Sequence, residues 1–306
     1  MLRNSTLKGI QIPGITEKLI TSLFADDTTV YLSQDDDFSN LTGILATWCK
    51  ASKAKFNVAK TELIPIGSKD FRNELRITRK LQPTHPRIPS DIHIAQEGEA
   101  TRIIGTFVGN GINEAEPWTP ILEKIDENLS QWQTSHPTLK GKRLIIQMVI
   151  GGRTQFLTKA QGMPKHIETR LTGTIRRFIW DGNRSPPVSL ELLQQPVENG
   201  GLKLLDLNAR NEAIKITDLK SYLQLDNSRP RWAQVDDIIL SVNTQKSGLK
   251  LNREMRVNSF LQTWNVSTHN NPDLPLQTKE MIKIARKYNA RLDAKHPGYM
   301  SETHYG

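Results

Sequence analysis

Two adjacent carboxylates, Asp26 and Asp27, interrupt an otherwise apolar and β-branched stretch that runs from Ser22 to Leu32. Neighbouring carboxylates on a tight turn can face one pocket, and such oxygen ligands suit Mg²⁺, which also keeps waters and substrate phosphates. Phosphoryl-transfer enzymes use two such ions, so a complete site needs at least one further carboxylate from a neighbouring strand. Asp is also common in turns because it bonds to its own backbone. The pair therefore indicates either a metal site or an ordinary turn.

Strand-like segments flank the acid pair on both sides. Residues 18–24 lead into the pair and residues 28–32 leave it, and both segments are rich in apolar or β-branched side chains. A Pro13-Gly14 turn separates the first segment from another strand-like stretch at residues 7–12. The pattern predicts a hairpin that carries the two acids at its tip.

A helix is predicted after the hairpin. Its apolar residues recur at helical spacing: Phe38, Leu41, Ile44, Leu45 and Trp48. Asp37 is well placed as its N-cap, and capping is the preferred interpretation of the run Asp35-Asp36-Asp37, with metal binding as the alternative. Residues 58–67 return to strand character. The order hairpin, helix, strand predicts a helix packed on an antiparallel sheet.

The rest of the chain changes character twice. Residues 67–100 are charged and contain several prolines, and we predict a connecting segment with one short strand at 91–95, followed by a strand pair around Gly105 and Gly109. From Pro117 onward, apolar residues three and four apart predict about four helices. The segments concerned are 118–133, 141–160, 166–180 and 208–225. After about residue 230 the chain is polar and irregular, with a last helical candidate at 276–292.

The composition points to an intracellular protein with a polyanionic partner. The formal net charge is +9, which suggests nucleic acid, although a soluble basic protein without such a partner is the alternative. The single cysteine, Cys49, excludes a disulfide within the chain and a cysteine-based zinc site. The chain begins without an apolar signal core and has no run of about 20 apolar residues. We therefore expect a soluble protein of the nucleus or cytoplasm, with no membrane contact.

Several motifs together carry a family resemblance. Phe24-Ala25-Asp26-Asp27 resembles the aromatic-x-Asp-Asp box of reverse transcriptases, and Ser52–Glu62 resembles the S-x-x-K-x-N-x-x-K-T stretch of LINE-type, non-LTR retrotransposon polymerases. Gly105–Gly109 resembles the leucine-glycine strand pair that follows it, with Ile104 where leucine is more usual. Other segments are similar to the region downstream of the polymerase core, especially in fungal elements. They are Ser135–Arg143, Phe178–Gly182 and Gly200–Leu202.

The resemblance implies an α+β fold with three parts. Residues 1–110 would be the C-terminal part of a polymerase palm, 111–225 a helical thumb-like region, and 226–306 a polar extension of undefined fold. It implies catalytic and metal-binding roles for Asp26 and Asp27, with Mg²⁺ bound if the site is completed.

The resemblance also assigns nucleic-acid contacts. Phe24 would lie near the primer terminus and Lys60 near the phosphates of the incoming nucleotide. Basic residues of the helical region would hold the RNA template and DNA primer, although a solvated helix surface is the alternative. The basic residues are Lys140, Lys142, Arg143, Arg153, Lys159, Lys165, Arg170, Arg176 and Arg177.

The family's metal site also needs fingers and an upstream palm strand that bears another aspartate. Among residues 1–25 the only acid is Glu17, which is too close along the hairpin to replace that ligand. We therefore expect a truncated RNA-directed DNA polymerase, inactive unless an N-terminal polymerase segment is supplied separately. The alternatives are a non-catalytic nucleic-acid-binding remnant and a decayed element with no selected role.

The remaining aromatic, glycine and histidine residues suggest structural roles. Trp118, Trp132 and Trp180 fall at apolar helix positions, so we predict that they belong to the core. Gly151-Gly152-Arg153 lacks the Lys-Ser/Thr ending of a phosphate loop. We also predict that His136 and His166 are loop and surface residues.

Overall fold

The computed structural model describes residues 1–12, 17–183, 186–224, 226, 228–243, 266, 268, 271 and 274–289. The chain divides into two compact units, Met1–Ile125 and Asp126–Gly306. Helices predominate in the described residues, and the strands there form separate two-stranded sheets, which confirms the predicted α+β class. None of the described helices is long and apolar enough to cross a membrane.

The first unit holds the strands and two helices. The strands are β1 Thr21–Phe24, β2 Asp27–Val30, β3 Glu62–Leu63, β4 His93–Ile94, β5 Thr101–Ile103 and β6 Thr106–Val108, and the helices are α1 Phe38–Ser52 and α2 Lys69–Thr78. Strands β1 and β2 pair antiparallel, as do β5 and β6, whereas β3 and β4 pair parallel.

Helix α3 (Thr119–Gln133) crosses from the first unit into the second, and the later helices lie in the second. They are α4 Leu139–Ile146, α5 Gly152–Gln161, α6 Lys165–Ile179, α7 Leu190–Gln194, α8 Leu207–Tyr222, α9 Arg231–Asn243 and α10 Leu276–Lys287.

The first hairpin and α1 pack as predicted. The Asp37 carboxylate accepts a hydrogen bond from the backbone N–H of Ser39 at 2.8 Å, which caps α1. Leu41 of α1 is buried against Leu7 and Ile20, and this cluster forms the core beneath the hairpin. The predicted Pro13-Gly14 turn lies outside the described residues.

A helix occupies the first part of the connection predicted after residue 67. Helix α2 begins after Ser68, whose hydroxyl accepts a hydrogen bond from the backbone N–H of Phe71 at 3.3 Å. Leu75 is the buried side chain of α2, and it packs with Ile88 and Ile92. Because so narrow an apolar face is outnumbered by charged residues, periodicity did not reveal the helix, and the prediction of a connection was wrong there. The predicted short strand is confirmed as β4.

The second hairpin confirms the strand pair predicted around Gly105. Ile103 pairs with Thr106, so Ile104 and Gly105 form the two-residue turn, with φ angles of 49° and 81°. Positive φ at both positions is the geometry that matches the twist of two-residue hairpins. Gly109 follows β6 where a Cβ atom would lie 2.1 Å from the carbonyl oxygen of Glu99, so only glycine fits.

The second unit confirms the predicted helical segments. Segment 141–160 is divided between α4 and α5, which are joined without a break by a π-helical turn at Gln147–Gly151. Gly151-Gly152-Arg153 therefore lies within helical structure and forms no phosphate loop. The largest fully buried side chains of these helices include Ile146, Ile150, Leu171 and Ile175.

The described residues after 230 form two helices, α9 and α10. Ala233 and Leu240 of α9 are buried in a cluster with Tyr222 and Met281, so the prediction of irregular chain was wrong for 231–243. Helix α10 confirms the last helical candidate, whose final residues, 290–292, lie outside the described part of the chain.

Candidate functional site

The acid pair lies at the tip of the hairpin formed by β1 and β2. Phe24 and Asp27 pair across the hairpin, so Ala25 and Asp26 form its two-residue turn. Ala25 has a left-handed φ of 51°, which residues other than glycine adopt rarely. Every residue from Ser22 to Thr28 is exposed. The hairpin therefore presents both acids to solvent on a strained turn.

Neither carboxylate of the pair has a partner within the described residues. No hydrogen bond or ion pair reaches the side chain of Asp26 or Asp27 there. An aspartate that serves a turn usually accepts a hydrogen bond from nearby backbone, and neither does so. The described residues also contain no group of three or more His, Cys, Asp or Glu side chains arranged to hold a metal ion. The tip thus offers two free carboxylates, and the described residues add no third ligand there.

The other two predicted contacts of the first unit, Phe24 and Lys60, are both exposed. Phe24 is 62% exposed beside the turn. Lys60 is exposed at the end of a short 3₁₀ helix, Val58–Lys60. No hydrogen bond or ion pair links Lys60 to the acid pair in the described structure.

The three aspartates before α1, Asp35, Asp36 and Asp37, have three different roles. Asp37 is the N-cap, as predicted, and the exposed Asp35 pairs with Lys8 at 3.1 Å. Asp36 is buried and accepts hydrogen bonds from the backbone N–H groups of Lys8, Gly9 and Ser33 at 2.6, 2.9 and 2.8 Å. Burial alone would raise the pKa of Asp36, but these three donors outweigh it and lower the pKa. Asp36 therefore anchors the chain before the hairpin, a role that the sequence did not indicate.

The three basic residues predicted at the start of α4 differ in exposure. Lys140 is exposed, and Arg143 is half-buried, with its Nε atom buried and without a hydrogen-bond partner in the described structure. Lys142 is 5% exposed, and its ammonium donates to the carbonyl of Ile179 at 3.1 Å and to Asp181 Oδ1 at 2.5 Å. Lys142 therefore does not fit its predicted contact with nucleic acid, because its charge is used inside the protein.

The Lys142 contacts join two of the segments that carry the resemblance. The ammonium lies 5.9 Å from the centre of the Phe178 ring, and its hydrogen bond to Asp181 lowers the pKa of that carboxyl. The start of α4 and the end of α6 are held together by these contacts. Lys140 and Arg176 lie on these two elements, and both are exposed and without a hydrogen bond or salt bridge in the described structure, although the charge of Arg176 also acts on the Glu191 carboxylate.

Most of the other predicted basic contacts already have partners. Lys159 pairs with Asp218, Lys165 with Glu168 and Arg170 with Asp126. Arg153 faces the side-chain amide of Asn128, and Arg177 donates to the hydroxyl of Thr174 at 2.8 Å. Much of the positive charge of the second unit is therefore neutralised or engaged within the protein.

The tryptophans and histidines fit the sequence predictions in part. Trp118 is fully buried, as predicted, and Trp180 is half-buried. Trp132 is 43% exposed, so its assignment to the core was wrong. Apolar spacing cannot distinguish a core position from the exposed end of a helix. His136 and His166 are exposed, as predicted.

An exposed aromatic pair in the first unit was not singled out by the sequence. The rings of Trp48, in α1, and Phe56, after it, have centres 5.4 Å apart at an angle of 41°. Trp48 continues the apolar stripe of α1, so its spacing suggested core only. The lysine-rich character of the segment from Lys50 to Lys60 was the available signal that this end of α1 differs.

No known protein-family model matches this chain, and none of the curated proteins matches it either.

Proposed function

We propose that this chain is the palm-and-thumb part of an RNA-directed DNA polymerase of the non-LTR retrotransposon kind. The observation that carries the proposal is the hairpin tip, where Asp26 and Asp27 are exposed and unpartnered on a strained turn. An ordinary turn would engage its acids with backbone, whereas a metal half-site keeps them free. The order of motifs after the tip supports the same assignment.

The residues present fit half of a metal site. Mg²⁺ binds proteins through one or two carboxylates together with waters and substrate phosphates, and Asp26 and Asp27 would supply those carboxylates. Nucleotidyl transfer with two ions needs ligands for both ions, and the described residues bring no third acid to the tip. We therefore derive no catalytic step for this chain by itself and expect it to be inactive until another segment completes the site.

Nucleic-acid binding does not depend on a complete metal site. Lys140 and Arg176 leave positive charge exposed where α4 and α6 are joined, and the chain carries a net charge of +9. Cations that contact phosphates release condensed counterions, so binding to a primer–template duplex should weaken steeply with salt. The half-buried Arg143 lies three residues after Lys140 in α4, whereas Lys142 has no part in this surface.

The alternative is a non-catalytic nucleic-acid-binding protein that has no polymerase partner. The missing third acid among the described residues favours it, and a decayed element with no selected role would leave the same hairpin. These alternatives differ in what lies upstream of the reading frame. An open, in-frame segment with fingers and a palm aspartate supports the polymerase, whereas stops or frameshifts support a remnant.

The decisive experiment is primer extension on a primed RNA template with Mg²⁺. We expect no extension by the chain as given, and extension by a longer chain that includes the upstream segment. Asp26→Asn should abolish the activity of the longer chain, whereas Asp35→Asn, at an exposed acid outside the tip, should preserve it. A longer, folded chain that fails to extend primers would overturn the polymerase proposal. Robust extension by the given chain would contradict the expectation that it is inactive by itself.

A further inference from the structure

An exposed aromatic pair lies at the C-terminal end of α1, away from the acid run that begins this helix. Trp48 and Phe56 are 40% and 36% exposed, and their tilted rings contact each other. Large aromatic side chains in a monomer are usually buried, so a pair that keeps this much ring surface in water is a candidate contact surface.

The local fold holds the two rings together. Helix α1 ends at Lys53, which has a left-handed φ of 63° and donates its backbone N–H to the carbonyl of Cys49 at 2.9 Å. This cap reverses the chain direction, as left-handed caps commonly do at helix ends. The reversal brings Phe56 back to Trp48, and the short 3₁₀ helix Val58–Lys60 follows.

Four free lysines surround the aromatic pair in the sequence. They are Lys50, Lys53, Lys55 and Lys60, all exposed and all without an ion pair within the described part of the chain. No Asp or Glu occurs between residues 48 and 61. The second unit is different, because most of the lysines and arginines that the structure describes there have internal partners. This segment therefore keeps its full positive charge beside two exposed rings.

We propose that the segment from Trp48 to Lys60 is a binding surface for single-stranded nucleic acid. Exposed rings offer stacking faces to unpaired bases, and unpaired lysines attract the phosphates between those bases. A duplex buries its base faces and would gain only the lysine contacts. The inference rests on the proposed function in taking nucleic acid as the partner, and it adds a second surface that holds an unpaired strand.

The test uses the full chain and fluorescence anisotropy of labelled single strands. Oligo(dT) and oligo(rU) of equal length distinguish DNA from RNA, and a duplex of the same length is the third probe. We expect Trp48→Leu to weaken single-strand binding about tenfold and to leave duplex binding within about twofold, because stacking on one aromatic ring is lost. Trp132→Leu is the matched control, since Trp132 is equally exposed but has no lysine within the neighbouring segment 125–139.

Phe56→Leu and the quadruple replacement of the four lysines by Gln provide independent variants if Trp48→Leu does not fold. Phe56→Leu should also weaken single-strand binding selectively. The quadruple variant should flatten the dependence of single-strand affinity on salt by up to about three units of logarithmic slope, since each phosphate contact contributes about 0.7. Circular dichroism melting verifies that each variant remains folded.

The outcomes separate this inference from the proposed function. Selective loss of single-strand binding in the Trp48 and Phe56 variants supports the surface. Equal effects of Trp48→Leu and Trp132→Leu, with duplex binding intact, would overturn the surface and leave the proposed function standing. Failure of the wild-type chain to bind any of the three probes would overturn both the surface and the nucleic-acid binding proposed above.

Discussion

Aspartates occur at the tip of the first hairpin and in the run before α1, and their surroundings are opposite. Before α1, Asp36 is buried and accepts hydrogen bonds from three backbone N–H groups. At the tip, Asp26 and Asp27 are exposed and have no partner within the described residues. An acid that stabilises the fold is surrounded by donors, whereas an acid kept for an external ligand is left free.

The lysines show the same contrast. The ammonium of Lys142 is buried against a carbonyl and a carboxylate, whereas Lys50 and Lys55 are exposed and unpaired in the described structure. Net charge alone therefore does not locate a nucleic-acid interface. Cations without internal partners are the ones free to replace the counterions condensed on the phosphates of a nucleic acid.

The largest expected effect is the difference in stability between a variant of the buried Asp36 and one of the exposed Asp26. Asp36→Ala should lower the free energy of unfolding by about 3 to 4 kcal/mol, because three backbone N–H groups lose their acceptor. Asp26→Asn should change it by less than about 0.5 kcal/mol, as for an exposed side chain without partners. Urea denaturation of the three proteins at pH 7 measures both changes. Similar losses for the two variants would break the contrast between structural and free acids.

The dependence of stability on pH gives a second test of this comparison. Since the pKa of Asp36 is lowered in the fold, its contribution to stability is present above its unfolded value of 3.8 and is lost as the pH falls through the lower folded value. Stability curves from pH 5 to pH 2 should therefore be less steep for Asp36→Ala than for wild type.

The next effect concerns the buried lysine. Lys142→Met should lower the free energy of unfolding by about 2 to 3 kcal/mol, because the Ile179 carbonyl and Asp181 lose a charged donor. Lys140→Met, two residues earlier on the exposed surface, should change stability little but weaken duplex binding. Urea denaturation and duplex anisotropy together test the pair. A Lys142→Met variant that folds normally and loses duplex binding would show that Lys142 contacts the duplex, and would contradict this account.

The half-buried Asp236 of α9 should show the opposite pH dependence to Asp36. The Thr278 hydroxyl donates a hydrogen bond to the Asp236 carboxylate at 3.2 Å, but burial raises the pKa of this carboxyl to about 6. Because the folded pKa is raised, this contribution to stability is complete below 3.8 and is lost as the pH rises through about 6.

Between pH 4 and pH 7, ionisation of Asp236 should cost the wild type up to about 2 kcal/mol in the free energy of unfolding. Asp236→Asn should not show this loss. Thermal unfolding across that range checks the change, with Asp218→Asn, whose carboxylate is paired with lysine, as the control. If wild type and Asp236→Asn have parallel stability curves, the carboxyl is already ionised in the fold.

The smallest effect compares the turns of the two hairpins. Ile104, like Ala25 at the acidic tip, has a left-handed φ, and it is 40% exposed. Ile104→Asn would create the Asn-Gly sequence that this turn favours, so we expect a gain of about 0.5 to 1 kcal/mol in the free energy of unfolding. The same substitution at the exposed Ile66, whose φ is not positive, should give no gain in thermal unfolding.

The sequence predicted the elements whose patterns were strong. The N-cap at Asp37, the stripe of α1 and the long helices of the second unit follow from side-chain period and capping chemistry. It missed α2, because the two apolar residues that face its core, Phe71 and Leu75, are outnumbered by charged and polar ones.

Contacts between distant residues were the other limit. No pattern indicated that Asp36 would accept N–H groups from residues 8 and 9, or that Lys142 would reach Asp181. The exposure of Trp132 and of the Trp48–Phe56 pair was equally hidden, because a helix stripe does not reveal where its core ends.

The most direct test of the central claim is a Mn²⁺ titration of the chain, followed by paramagnetic broadening of its backbone amide signals. If the tip is a metal half-site, residues 24–29 should broaden saturably with a Kd on the order of millimolar, as expected for two carboxylates. The broadening should vanish in the Asp26→Asn, Asp27→Asn double variant and persist in Asp35→Asn. Broadening that avoids the tip, or that survives the double variant, would contradict the account.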